Sequence, residues 1–360
     1  MNIVLLIPKI SYGGASKIII WLANQLSDTG YKVSIIEFYT GESHQKINEE
    51  IEVIRLDINQ SKNRVLRLLF GTIIAEYRLH RVIRKVRPDL VITFGDPIGS
   101  LYILINKINS KRKIIVSERS DPYSVNGLNH KIRRAFFNLA DGIVFQTEEA
   151  MKYFSNNIQS KGVIIANPIN INKVKRAPYS RRKNKIVFVG RFDVVQKRQD
   201  IMVEAFFEIK KYHKDLSLVF YGDGKDESLI RELVNTKGLE ESVIFAGRVE
   251  NVLEKIWDAK VFVLTSDYEG IPNALIEAMA LGIPVVSTDC SPGGARLLID
   301  NNKNGILVPT GDPKGISRAI RYILENPNEA ERYGTLAQEI VTEYSSEEIM
   351  GRWISFIEKL

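Results

Sequence analysis

Two glutamates, Glu269 and Glu277, stand eight positions apart in the stretch DYEGIPNALIEAMALGIPVVSTDCSPGG, residues 267–294. One sits in the turn before a helical pattern and the other in its first turn, an arrangement that lets both face one ligand. The pattern places Pro272 in that first turn and makes Asn273 a plausible cap. The amides of Asn273, Ala274 and Leu275 are then expected to lack intrahelical acceptors, and such a helix tip suits a phosphate. Glu277 is placed to accept hydrogen bonds from a ribose diol, and Glu269 to meet hydroxyls of a group beyond the phosphates. The plainer account is that an acid in a first turn favours the helix dipole by roughly 0.3–1 kcal/mol.

A second stretch bears on the choice. In VGRFDVVQKRQD (189–200), Arg191 and Lys197 leave a predicted strand end six residues apart, ahead of a helix starting near Gln199. Arginine offers a planar fork and lysine a compact point charge, which together suit a diphosphate. Taken alone, the loop reads equally well as solvated and basic. Taken with the two glutamates, it describes a nucleotide-diphospho-sugar gripped at both ends. In YGDGKDESLI (221–230), Gly222 and Gly224 imitate a dinucleotide fingerprint, but the third glycine is absent and Asp223 would repel a pyrophosphate. Hydride transfer thereby loses most of its support. In SYGGASKIIIWLANQL (11–26), Gly13 and Gly14 allow close backbone approach to a ligand before a helix start, although a Gly-Gly turn is often only a turn.

These turns need elements to hold them. Strand patterns occupy 2–8, 32–38, 89–95, 113–118, 142–147 and 162–167, then 185–190, 216–222, 242–247, 260–266, 284–289 and 305–309. Several are apolar and β-branched on consecutive positions, as in parallel strands buried on both faces. Helical patterns separate them, in the first half at 14–28, 64–87, 97–108, 129–140 and 147–155. The polar, basic segment 167–185 carries two prolines and interrupts the rhythm. The expectation is two doubly wound α/β domains facing across a cleft, Rossmann-like and parallel-sheeted: 1–170, a linker at 171–184, and 185–344. Ligands in such sheets lie beyond the carboxyl ends of strands.

Bulk composition is that of a globular protein: 360 residues, 44% apolar and 26% charged, too long for one typical domain. No apolar run reaches the ~18 residues of a membrane span, and the N-terminal run MNIVLLIP lacks a secretory pattern. The single cysteine cannot form an intramolecular disulfide, and four scattered histidines make no ligand pair. The expectation is a cytoplasmic protein. Residues 1–180 hold 26 Lys/Arg against 15 Asp/Glu, a charge of +11, so the whole excess of +7 comes from the first half. That imbalance points to an anionic partner there.

The chain resembles the retaining glycosyltransferases of the large family 4, over essentially its whole length. The resemblance rests on GGAS (13–16), VGR with the lysine at 197, GDG (222–224), GRVENV (247–252), EGIPNALIE (269–277), EAMALGIPVVSTD (277–289) and NGILVPTGD (304–312). It implies the GT-B fold, with a last helix (345–360) crossing back to the N-terminal domain. By the same resemblance, Glu277 holds the donor ribose and the amides of residues 273–275 touch the diphosphate. Arg191 and Lys197 neutralise the leaving phosphate, and Glu269 orients the transferred sugar. Gly14, next to Gly13, approaches the donor phosphate from the other domain, and the stretch around Val249 lines the base. No metal or other cofactor is implied; the nucleotide sugar is a co-substrate. Two features depart from the family. The spacing from Arg191 to Lys197 is one residue longer than usual. VSERSDPYS (116–124) also places Arg119 where the family commonly has histidine, and arginine cannot act as a general base near neutral pH. Arg119 is therefore assigned to binding a sugar hydroxyl, a phosphate or an acidic acceptor, the alternative being a structural pair with Glu118 or Asp121.

The expected donor is UDP-linked hexose or N-acetylhexosamine, and the expected acceptor is a lipid-linked glycan or polysaccharide precursor. In residues 62–87, Leu66, Leu69, Phe70, Ile73, Ile74 and Tyr77 mix with Arg78, Arg81, Arg84 and Lys85, and 129–139 repeats the mixture. Amphipathic basic helices suit an anionic bilayer, at roughly 1 kcal/mol per cation, which predicts peripheral association with the cytosolic membrane face. The same stripe also suits packing on a sheet. A nucleic-acid partner is not expected, because aromatics do not interleave the basic runs. The rivals retained are an epimerase, a glycogen-type synthase or phosphorylase, and a silent nucleotide-sugar sensor.

Overall fold

The computed structural model describes residues 1–10, 14–39, 46–58, 72–94, 112–124, 131, 134–169 and 176–360. The chain forms two compact units, residues 1–166 with 349–360 and residues 167–348.

In the first unit seven parallel strands are described: β1 (Asn2–Ile7), β2 (Lys32–Glu37), β3 (Glu52–Arg55), β4 (Leu90–Thr93), β5 (Lys113–Ser117), β6 (Gly142–Phe145) and β7 (Gly162–Ile164). Their spatial order is β3-β2-β1-β4-β5-β6-β7. The apolar runs of β1, β4 and β6 are buried on both faces, as parallel strands covered by helices must be. β3 was not expected from the sequence. It is an edge strand with charged ends, half-buried in the middle, and carries no apolar run to announce it. The helix Thr72–Val86 lays Ala75, Leu79 and Ile83, one residue per turn, onto the sheet. Its other face exposes Ile74 and Tyr77 together with Arg81, Arg84 and Lys85. Leu66, Leu69, Phe70 and the helical pattern at 97–108 lie outside the described residues, as does the side chain of Ile73. Within the pattern at 129–140, the described residues include a 3-10 segment, Phe136–Leu139. Residues 349–360, most of the helix Ser346–Glu358, belong to this unit, where Phe356 and Leu360 cover Gly142 of β6.

The second unit holds six parallel strands: β8 (Lys183–Val189), β9 (Ser217–Tyr221), β10 (Val243–Gly247), β11 (Ala259–Leu264), β12 (Val285–Thr288) and β13 (Ile306–Val308). Their order is β10-β9-β8-β11-β12-β13. Phe188, Phe192, Phe206 and Phe220 fill its core, with Phe192 and Phe220 at 5.5 Å between ring centres. Strand order reverses at β8, which has β9 on one side and β11 on the other. The turns leaving β8 and β11 therefore emerge side by side at the carboxyl edge, although β9 and β10 intervene in sequence. That edge is where a doubly wound sheet receives a ligand.

Candidate functional site

Both turns are held by their own hydrogen bonds. The turn after β8 ends at Arg198, which caps the helix Gln199–Lys210 in the left-handed region at φ 52°. The Thr265 hydroxyl, just past β11, donates to the carbonyls of Lys197 and Arg198 at 2.8 Å each. The Asp267 amide donates to Gln196 O at 2.9 Å, and Gln196 Nε2 to Tyr268 O at 3.2 Å. Arg198 Nη1 donates to Asp267 Oδ2 at 2.9 Å. Two loops about seventy residues apart in sequence are thus locked together, and their side chains converge.

The convergence brings Lys197 onto Glu269. Lys197 Nζ donates to Glu269 Oε1, and the Ser266 hydroxyl donates to the same oxygen at 2.7 Å. Both side chains are largely buried, 16% and 9% exposed. The Glu269 amide is anchored on Ser291 O at 2.8 Å. Beside them Cys290 is buried. Burial, and secondly the charge of Glu269, push its thiol up to about 12.

Arg191 leaves the same turn but points outward, 64% exposed, donating to Asp193 Oδ2 at 3.2 Å and Gln196 Oε1 at 3.3 Å. Its backbone is fixed from below, where the buried Gln199 donates to Arg191 O at 2.8 Å. The GDG turn explains itself as packing. Gly222 sits at φ 138° with its Cα against the Gly190 carbonyl, and Gly224 lies against Phe192 backbone, leaving no room for a Cβ at either. Val249, half-buried, follows the end of β10. There the Gly222 amide meets Gly247 O at 2.8 Å, and Arg248 pairs with Asp223 at 2.9 Å.

The helix carrying Glu277 spans Asn273–Ala280, and its start differs from the sequence expectation in three respects. Pro272, not Asn273, occupies the cap position and offers no side-chain cap. The Leu275 amide is already engaged, donating to Pro272 O at 3.0 Å, so only Asn273 and Ala274 present the outward amides of a helix tip. Glu277 is the fifth helical residue, outside the first turn, half-buried, and too far in for a dipole account. The carbonyl of Asn273's side chain instead accepts from Asn167 Nδ2 at 2.7 Å. At the other end of the helix, the buried Arg182 donates to Leu281 O at 3.2 Å and Gly282 O at 2.7 Å. Thr265, Arg182 and Asn167 were not singled out from sequence, because each works through contacts remote along the chain, and Ser266, three residues before Glu269, carries no sequence signal of its own.

In the first unit, Gly13 lies outside the described residues, and Gly14 opens the helix Gly14–Asp28 on an exposed position. Arg119 follows β5. Its Nε donates to Ser117 Oγ at 2.7 Å, and its guanidinium lies 4.9 Å from the Phe94 ring centre. Burial draws its pKa down, yet an arginine stays cationic near neutrality. Glu118 accepts from the Ser120 hydroxyl and lies 3.8 Å from Arg134, and burial raises its pKa.

The site in the second unit thus offers a buried lysine–glutamate pair, an adjoining exposed arginine and a helix tip with two outward amides. Residues 12–173 match the Glycosyltransferase Family 4 model, and residues 170–340 match the Glycosyl transferases group 1 model. An uncharacterized glycosyltransferase of Methanocaldococcus jannaschii is 31% identical over 303 residues, covering 77% of this chain and 74% of that protein. A Campylobacter jejuni alpha-1,4-N-acetyl-D-galactosaminyltransferase, named for a PP-undecaprenol-linked glycan, is 25% identical over 364 residues, 99% of this chain and 98% of the other. The crystal structure of Anabaena HepE with UDP and glucose superposes at a TM-score of 0.83 and 18% identity, covering 99% of each chain, a likeness of fold. The chain belongs to the glycosyltransferases of family 4, with the GT-B fold, and is related to enzymes of bacterial polysaccharide and lipid-linked glycan assembly.

Proposed function

We propose that this glycosyltransferase transfers a hexose or N-acetylhexosamine from a UDP-sugar, with retention of anomeric configuration and without a metal, to a hydroxyl of a lipid-linked glycan or polysaccharide precursor. The observation that carries the proposal is the Lys197–Glu269 pair, set beside the Asn273–Ala280 helix tip at the switch point of the sheet. When the sugar–phosphate bond breaks, negative charge grows on the departing diphosphate. Lys197, Arg191 and the amides of Asn273 and Ala274 are the groups that stabilise it, and fixed donors do so without reorganising. Glu269 then holds sugar hydroxyls, Glu277 the ribose and the Val249 stretch the base. Arg119 keeps its proton, so it serves as a binding cation for a hydroxyl or an anionic substrate group. The UDP in the HepE structure and the undecaprenol-linked glycan in the Campylobacter relative's name support the choice of donor and acceptor.

The membrane part of the proposal rests on the helix Thr72–Val86, whose outer face combines Ile74 and Tyr77 with Arg81, Arg84 and Lys85. Flotation with anionic liposomes is expected at low salt and to weaken at high salt; no flotation at either removes this part. For the chemistry, thermal shift against a panel of UDP-sugars identifies the donor. Product anomers by NMR, with and without EDTA, then test retention and metal independence. No shift with any UDP-sugar refutes the donor assignment. Slow donor hydrolysis without acceptor separates a live transferase from a nucleotide-sugar sensor.

A further inference from the structure

The start of the Asn273–Ala280 helix poses a problem that its own residues do not solve. An asparagine near a helix start can fix the first turn through its own side-chain oxygen, which then accepts from a backbone amide two or three residues on. Here that oxygen is taken: Asn273 Oδ1 accepts from Asn167 Nδ2 at 2.7 Å, and the same nitrogen also reaches Ile271 O at 3.4 Å. Asn167 is itself 4% exposed, so its orientation is fixed by packing. Pro272 at the cap position has no acceptor side chain with which to close the tip.

Asn167 is also the residue at which the chain enters the second unit. Two residues on, the Ile169 amide donates to Tyr344 O at 2.7 Å, and Ile169 forms a parallel bridge with Ser345, a few residues before the chain leaves that unit. The entering segment is therefore tied on one side to the departing segment and on the other to the helix tip.

Resting on the donor site proposed above, we infer that Asn167 is a positioning residue: through the Asn273 side chain and the Ile271 carbonyl it fixes the Ile271–Asn273 backbone, and so the direction of the Asn273 and Ala274 amides toward the donor's β-phosphate. The test is calorimetry of the full chain with UDP and with UMP, which lacks that phosphate. Asn167→Ala is expected to lower the UDP/UMP affinity ratio about tenfold, the effect of one well-placed hydrogen bond, and to leave UMP affinity within about twofold. Asn273→Ala, which removes the same bond from its half-buried end, is expected to do likewise, and the double variant no more than either. Should Asn167→Ala fail to fold, the ratio in Asn273→Ala decides. A general loosening would weaken both nucleotides together. A wild-type ratio in the variants, while Glu277→Ala loses both nucleotides, overturns the inference and leaves the donor site standing. If the wild type binds neither nucleotide, or Glu277→Ala binds both normally, the donor site fails and the inference fails with it.

Discussion

Lys197 and Glu269, 72 residues apart in sequence, form an ion pair whose acid oxygen is shared with Ser266. The pair places a cation and an acid together at the proposed donor site, each satisfied by the other. Removing one partner strands the other in a largely buried position, which for buried pairs costs about 3–5 kcal/mol and here, with some exposure, about 1–3 kcal/mol. Lys197→Ala and Glu269→Ala are each expected to lower stability by that amount in urea unfolding, and Lys197→Met/Glu269→Leu by less than the sum. On activity, Lys197→Ala is expected to lower kcat/KM by about 10²–10³. Additive stability losses with unchanged kinetics would make the contact incidental.

Arg191 separates function from stability. Its side chain is 64% exposed and, among the described residues, bonded within its own turn. Exposed substitutions of this kind shift stability by less than about 0.5 kcal/mol. Arg191→Ala is expected to unfold as the wild type does and to lose about 10- to 100-fold in kcat/KM, with Arg191→Lys intermediate because the point charge remains and the fork is lost. Steady-state kinetics beside a thermal melt checks this; unaltered turnover refutes the role.

Much of this site was legible in the sequence because its residues sit in turns directly after recognisable strands. The runs that became β8 and β11 are apolar and β-branched, and Arg191, Lys197 and Glu269 lie in the turns that follow them. What periodicity does not give is which strands are neighbours. The Lys197–Glu269 contact exists because β8 and β11 pair, a tertiary fact. Helix ends are equally hard to read: Asn273 has a cap residue's chemistry, yet Pro272 holds that position because its fixed φ, at −76°, suits the entry to the helix. Asn167 was invisible for the same reason as the ion pair, its partner lying 106 residues away.

Cys290 provides a probe that perturbs nothing. It is the chain's one cysteine, 1% exposed, with its thiol pushed up to about 12 by burial and by the neighbouring Glu269 charge. The thiolate is the reactive species, so at pH 8 the native protein is expected to resist Ellman's reagent and to release one equivalent of chromophore only on denaturation. Immediate stoichiometric labelling of the native protein would contradict the packing around Glu269.

Asp258 tests how the β8–β11 pairing is held. Its carboxylate meets Lys185 at 2.6 Å and Lys183 at 2.9 Å, joining the start of β8 to the residue before β11, where the Lys183 amide also donates to Asp258 O at 2.7 Å. Burial alone would raise its pKa, but the hydrogen bonds from the two lysines outweigh burial and hold it below the ordinary carboxylate value. A carboxyl with a lowered folded pKa binds fewer protons folded than unfolded, so its stabilisation is complete above the unfolded pKa, near 4, and disappears as pH falls through the folded value. Asp258→Asn is therefore expected to cost about 1–2 kcal/mol at pH 7. The gap to wild type should shrink steadily below about pH 4. Paired urea titrations at pH 7, 5 and 3 measure it. A gap independent of pH would mean that the charge is not what joins these strands, and one that widened in acid would reverse the sign of the shift.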